Sequence, residues 1–290
     1  MRHNKSSNYA NMCNLNQLAV NAQLNVPRGL FVNEDEEVFF CDWENHRVRK
    51  IDRNGIITTI AGNGIRGYNG DDILATTAQL YFPSKVFVHK NEIYITDSLN
   101  CRIRKVLQDG KIATIAGTGA HGNTPNGQLA TLANISVPSG LCIHNDQIYF
   151  SDFSGCVRKI LANRIITTVA GKAGSLDGEK GDGILALNAC ILHPFGIFVD
   201  DSGIFIACYG DSTIRKVDQN GRIKSIAGTI GGQGYSGDIP FDFEKYPHIG
   251  PRKKALIKPF PKSYFDLDFY FYNQHQHEEC LEPFNKKVKR

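Results

Sequence analysis

Between residues 29 and 62 the chain alternates short apolar runs with clusters of polar turn residues. GLFVN (29–33), EVFFCD (37–42), RVRKID (47–52) and IITTIAG (56–62) are each four to seven residues long and rich in β-branched and aromatic side chains. Asn, Asp and Gly clusters divide them, including Trp-Glu-Asn-His (43–46) and Asn54-Gly55. Such runs fit a pleated surface, and the residues between them tolerate positive φ, so four strands joined by tight turns are predicted. In RVRKI, Val48 and Ile51 fall on opposite faces, as expected of a strand packed on both sides.

This unit is written four times. Pro27, Pro83, Pro138 and Pro194 open the copies at spacings of 56, 55 and 56 residues. An Arg-Lys pair follows at 49–50, 104–105, 158–159 and 215–216, and an Ala-Gly pair closes each copy at 61–62, 116–117, 170–171 and 227–228. An Ala-x-x-Ala spacer precedes each proline at 19/22, 75/78, 130/133 and 186/189. Four markers in one register predict an all-β repeat array. One four-stranded unit cannot bury both faces alone, whereas stacked neighbours can, so the expected architecture is a β-propeller of four-stranded blades.

The residues that carry the register also resemble a known family. The pattern P-x-G-[IL], D-x-x-N-x-R-[IV]-R-K, I-x-T-[IV]-A-G and G-Y-[NS]-G-D is similar to the NHL repeat. Here it is carried by Pro27–Leu30, Asp42–Lys50, Ile57–Gly62 and Gly67–Asp71, and the resemblance covers roughly 18–239. It implies a ring of five or six blades, of which four are clear, over about 24–79, 80–134, 135–190 and 191–239. Departures are local: Lys85 stands where the other copies have glycine, repeat three drops a residue within 152–159, and Cys208 stands where an aspartate is expected. Residues 1–17 lack periodicity and read as a flexible arm. Residues 240–290, aromatic and basic, read either as a degenerate fifth blade that closes the array or as an ordered extension.

Charge narrows the function classes. The net formal charge is +4; residues 1–240 carry 23 basic and 22 acidic groups, and residues 241–290 carry 10 and 7. A near-neutral body with Arg-Lys pairs matched by nearby acids argues against a nucleic-acid partner. No run approaches the length of a membrane span, and the first residues lack the apolar core of a secretory signal. The eight cysteines show no paired spacing, and Cys142 sits where Phe31 and Phe87 do. Free thiols and a cytoplasmic location are expected.

Candidate chemistry is sparse. Asp42, Asp97 and Asp152 recur at one position, which suggests a structural turn carboxylate, with Asp42 facing Arg47 or Arg49. Asn33, His89, His144 and Asp200 occupy one repeat position and so fall on a ring about the axis; His89, His144 and Asp200 are the only candidate metal ligands there, while solvated turns are the simpler expectation and no cofactor is expected. His275, His277 and Cys280 form a short tract. The Gly-Asp loops at 67–72 and 234–238 match neither an EF-hand nor a phosphate loop. Variation concentrates just after the opening prolines, at Arg28, Ser84, Lys85, Ser139 and Phe195 near one mouth, where a binding surface can be written without disturbing the scaffold. The expected function is a non-catalytic scaffold for a protein partner. Against it stand a metal-dependent propeller enzyme of the lyase or lactonase type, an RNA-binding module, and a truncated paralogue with no function of its own.

Overall fold

Each repeat folds as an antiparallel sheet with its strands in sequence order. In the computed structural model, which describes residues 17–172, 178–179, 181–230 and 232, blade one comprises Pro27–Val32, Val38–Asp42, Arg47–Ile51 and Ile56–Ala61. Blade two comprises Pro83–His89, Glu92–Asp97, Arg102–Val106 and Lys111–Ala116. Blade three comprises Pro138–His144, Gln147–Asp152, Cys156–Ile160 and Ile166–Ala170, and blade four Pro194–Asp200, Gly203–Cys208, Thr213–Val217 and Arg222–Ala227. Met1–Gly234 and Tyr235–Arg290 form separate units, and only the first contributes described residues. The expected arm, except Gln17, and the whole 240–290 extension therefore lie outside the described residues, as do the 234–238 loop and the 275–280 tract.

The spacers do more than connect blades. Ile73–Leu74 adds a short fifth strand to the outer edge of blade two, pairing Leu74 with Lys111 and Ile73 with Ile112. Gln17–Leu18 and Ile184–Leu185 do the same for blades one and four, while blade three has a single Leu129–Ile165 bridge. Four strands per unit are expected from the sequence; the fifth arises because the spacer first clasps the outer strand of the blade it is about to enter. The alanines then turn inward. Gly62 N donates to Ala75 O at 2.9 Å and Asn63 N to Ala78 O at 2.8 Å, while Ala75 N donates to Gly110 O at 2.9 Å. One spacer thus ties the end of blade one to the outer hairpin of blade two. Ala75 and Ala78 are buried, where a larger side chain has no room.

The core lies between blades. Phe39, Cys41, Val48 and Ala61 of blade one pack against Leu80, Val86 and Ile95 of blade two, and the same pattern joins the later pairs. First strands approach very closely: a Cβ on Gly140 would lie 2.3 Å from Phe195 O, and one on Gly29 2.2 Å from Ser84 O. The residue before each opening proline, Val26, Phe82, Val137 and His193, takes a positive φ of 51°, 51°, 39° and 47°. These conformations are costly for β-branched or bulky side chains and mark a repeated kink at the entry to each blade.

Candidate functional site

Three carboxylates at the second-strand ends hold the entry kinks in place. Asp42 Oδ1 accepts from Asn25 N at 2.7 Å, Asp97 Oδ1 from Tyr81 N at 2.7 Å, and Asp152 Oδ2 from Ser136 N at 3.1 Å. Asp42 also lies 3.5 Å from Arg49, whereas Arg47 reaches the carbonyls of Asn45 and Asn63. All three carboxylates are buried. Burial pushes Asp97 up to about 6 despite Arg104, Asn100 and the Tyr81 amide, and it also raises Asp152. In blade four, where Cys208 replaces the aspartate, Asp211 supplies the carboxylate from three residues further on, accepting from Leu192 N at 3.2 Å. That substitution was not visible from the register, because Asp211 occupies the place of Asn45 and Asn100.

The arginine of each Arg-Lys pair belongs to the structure. Arg104, Arg158 and Arg215 are fully buried. Arg104 Nη2 donates to Asp71 Oδ1 at 2.8 Å and to Gly70 O at 2.9 Å, so the GYNGDD loop leaving blade one is pinned on blade two. The lysines lie toward the surface, with Lys50 2.7 Å from Glu37 and Lys105 2.6 Å from Glu92.

The residues expected to ring the axis do not share a site. His89 Nε2 lies 2.7 Å from Asp146, and His144 Nε2 lies 3.0 Å from Asp201, each bridging a different pair of adjacent blades. Asn33 bonds Glu37 and Asp200 bonds Ser202 within their own turns. Among the described residues no three His, Cys, Asp or Glu side chains gather closely enough for a metal ion.

The set expected to line the mouth divides. Ser84 and Ser139 are buried. Ser84 Oγ contacts Thr96 Oγ1 at 3.0 Å and Ser98 Oγ at 2.7 Å and lies 3.1 Å from Ser139 O, so it serves the joint between blades two and three. Lys85 reaches back, its Nζ donating to Leu30 O at 2.9 Å, and burial lowers its pKa from the usual lysine value. Arg28 and Phe195 do face one another. The Arg28 guanidinium stands 4.0 Å over the Trp43 ring and 5.9 Å from the Phe195 ring. Trp43 is itself stacked on Phe82 at 4.2 Å, and His46 meets Phe82 edge-on at 4.8 Å. The first and fourth blades thus bring a cation and aromatic faces together at the mouth where the first strands begin. Trp43 and Phe82 went unnoticed in the sequence because each reads as a turn or spacer residue.

Comparison with known proteins agrees with this architecture. A family model described as the Teneurin NHL domain matches residues 7–69. Teneurin-1 of Gallus gallus is 26% identical over 231 residues, covering 70% of this chain and 8% of that protein. Teneurin-m of Drosophila melanogaster is 24% identical over 237 residues, covering 75% and 8%. The chain therefore spans 8% of the length of these relatives. A solved protein of unknown function from Bacteroides thetaiotaomicron superposes with a TM-score of 0.50 at 21% identity, over 68% of this chain and 46% of that one. The repeat signature, the blade topology and these likenesses converge on a β-propeller of NHL-like repeats, and the chain is similar to the NHL domain of teneurins.

Proposed function

We propose that this NHL propeller is a non-catalytic scaffold that binds a protein partner at the mouth formed by Arg28, Trp43 and Phe195. The observation that carries the reading is the Arg28 guanidinium held over Trp43 and facing Phe195, which is 41% exposed. A guanidinium beside aromatic faces suits a partner offering a carboxylate next to an apolar or aromatic side chain, and Arg and aromatic residues dominate the energetics of protein interfaces. This group also breaks the repeat: the positions equivalent to Arg28 and Phe195 in blades two and three are the buried Ser84 and Ser139. Site-specific residues on a repeated frame are the usual way in which such arrays acquire specificity. The test is affinity capture from extract with the 290-residue chain and with the Arg28→Ala, Phe195→Ala double variant. A protein captured by the parent and lost from the folded double variant supports the reading. Equal capture by both sinks it.

A further inference from the structure

Of the four arginines in the Arg-Lys pairs, Arg158 alone makes no ion pair among the described residues. Arg49 lies 3.5 Å from Asp42, Arg104 lies 2.8 Å from Asp71 and 3.4 Å from Asp97, and Arg215 lies 3.6 Å from Asp182. Arg158 is 0% exposed, like Arg104 and Arg215. Its Nη2 donates to Thr124 O at 2.7 Å, but its Nη1 is buried and meets no acceptor. Nη1 is what sets it apart. Nε is unpartnered in Arg104 and Arg215 as well, yet their Nη1 groups reach Asp97 Oδ2 at 3.4 Å and Cys190 O at 3.2 Å.

Two changes in repeat three remove the carboxylates. Asn126 stands four residues before Ala130, the place that Asp71 holds before Ala75 and Asp182 before Ala186. Asn126 Oδ1 accepts from Thr168 N at 2.8 Å as Asp182 Oδ1 accepts from Ser225 N at 2.7 Å, so the side chain keeps its place and brings no charge. The second change is the residue dropped within 152–159. In blade two one oxygen of Asp97 serves both Asn100 Nδ2, at 2.8 Å, and Arg104 Nη1. In the shorter bend of blade three, Ser154 takes that role: Asp152 Oδ1 accepts from Ser154 N at 2.9 Å and from Ser154 Oγ at 2.6 Å, and Oδ2 accepts from Ser136 N at 3.1 Å. Both oxygens are engaged, and Asp152 makes no ion pair with Arg158.

A guanidinium does not shed its proton, and a charge removed from water is costly unless an opposite charge meets it. We propose that a monatomic anion, of which chloride is the common example, binds at Arg158 Nη1 and fills the role that carboxylates play in blades two and four. Full burial of Arg158 suits a single atom better than a phosphate or a carboxylate ligand. The segment bonded over the guanidinium is the loop carrying Thr124 and the exposed Asn126, and an ion of that size enters through it. The bound ion makes the stability of blade three depend on anion concentration.

The experiment is urea unfolding of the full chain, followed by circular dichroism, as sodium chloride replaces sodium gluconate at constant ionic strength, which holds general screening fixed. It is run on the parent and on Asn126→Asp. Position 126 is exposed and its counterparts are aspartates, so the variant keeps the fold. In the parent, chloride at a hundredfold excess over its dissociation constant should lower the unfolded-to-folded ratio about a hundredfold. Asn126→Asp supplies its own carboxylate, so it should be more stable than the parent in gluconate and lose most of the chloride response. Crystals grown in bromide give a second readout, an anomalous peak within hydrogen-bond distance of Arg158 Nη1 in the parent and none in the variant. No chloride response in the parent, a response of equal size in the variant, or no bromide at Arg158 in the parent overturns the proposal.

Discussion

Adding one methyl group at the same repeat position in two blades should have opposite effects. In Gly140→Ala the new Cβ lies 2.3 Å from Phe195 O, 3.0 Å from Ile197 N and 3.0 Å from Ser151 Oγ. Blades three and four must part by roughly 0.7 Å to relieve the first contact, an overpacking cost of about 1–3 kcal/mol. The movement also stretches the Ser151 bridge, in which Gly140 N donates to Ser151 Oγ at 2.6 Å and Ser151 Oγ donates to Phe195 O at 2.8 Å. Each such bond contributes about 1 kcal/mol net, so the total loss is roughly 3 kcal/mol. In Gly196→Ala nothing among the described residues lies nearer than 3.6 Å, and the restricted unfolded chain leaves a gain of about 0.5 kcal/mol. Lys85 does not contradict the argument, because it pairs in register with Thr96, whereas Gly140 lies in the irregular stretch between Pro138 and Leu141. Urea unfolding followed by circular dichroism measures both. A Gly140→Ala protein within about 0.5 kcal/mol of the parent would refute the account of how the blades abut.

Two further outcomes follow from the carboxylates that hold the blade entries. Asp211→Ala leaves the Leu192 amide without its acceptor and should cost about 1–3 kcal/mol in the same unfolding assay. Adding Cys208→Asp, which returns a carboxylate to the position of Asp42, Asp97 and Asp152, should recover much of the loss; no recovery would mean that Asp211 acts otherwise. For Asp97 the folded pKa of about 6 lies above the reference value of 3.8, so the native state binds more protons between them. Its contribution is fully present below pH 3.8 and is lost as pH rises through 6, by about 3 kcal/mol at most. Asp97→Asn should therefore flatten the decline in stability between pH 4 and pH 6, and an unchanged slope would count against the assigned shift.

The blades were legible because their markers are the joints themselves. The Ala-Gly ends and the Ala-x-x-Ala spacers recur at a fixed distance since Gly62 N and Asn63 N must meet Ala75 O and Ala78 O. Three other features were hidden. A two-residue strand such as Ile73–Leu74 carries no periodicity, and its partner lies nearly forty residues away. Arg104 alternates with apolar residues like a solvent-facing side chain, yet Gly70 O and Asp71 come from the preceding loop to meet it in the interior. Ser84 and Ser139 read as free variation after a proline, whereas Ser84 Oγ bonds the Ser139 carbonyl across a joint. That Arg28 comes within 5.9 Å of the Phe195 ring was equally illegible, because their distance from one another depends on the curl of the whole array.

The most direct test of a binding mouth uses Trp43, the single tryptophan of the chain, which lies 4.0 Å beneath the Arg28 guanidinium. The captured partner is titrated into the full chain while Trp43 emission and the anisotropy of a label on the partner are followed together, with a partner form lacking tryptophan. The account predicts a saturable change in Trp43 emission that tracks the anisotropy curve, as Arg28 is drawn from the ring to the partner's carboxylate. Saturable anisotropy with unaltered Trp43 emission would place the contact elsewhere and contradict it.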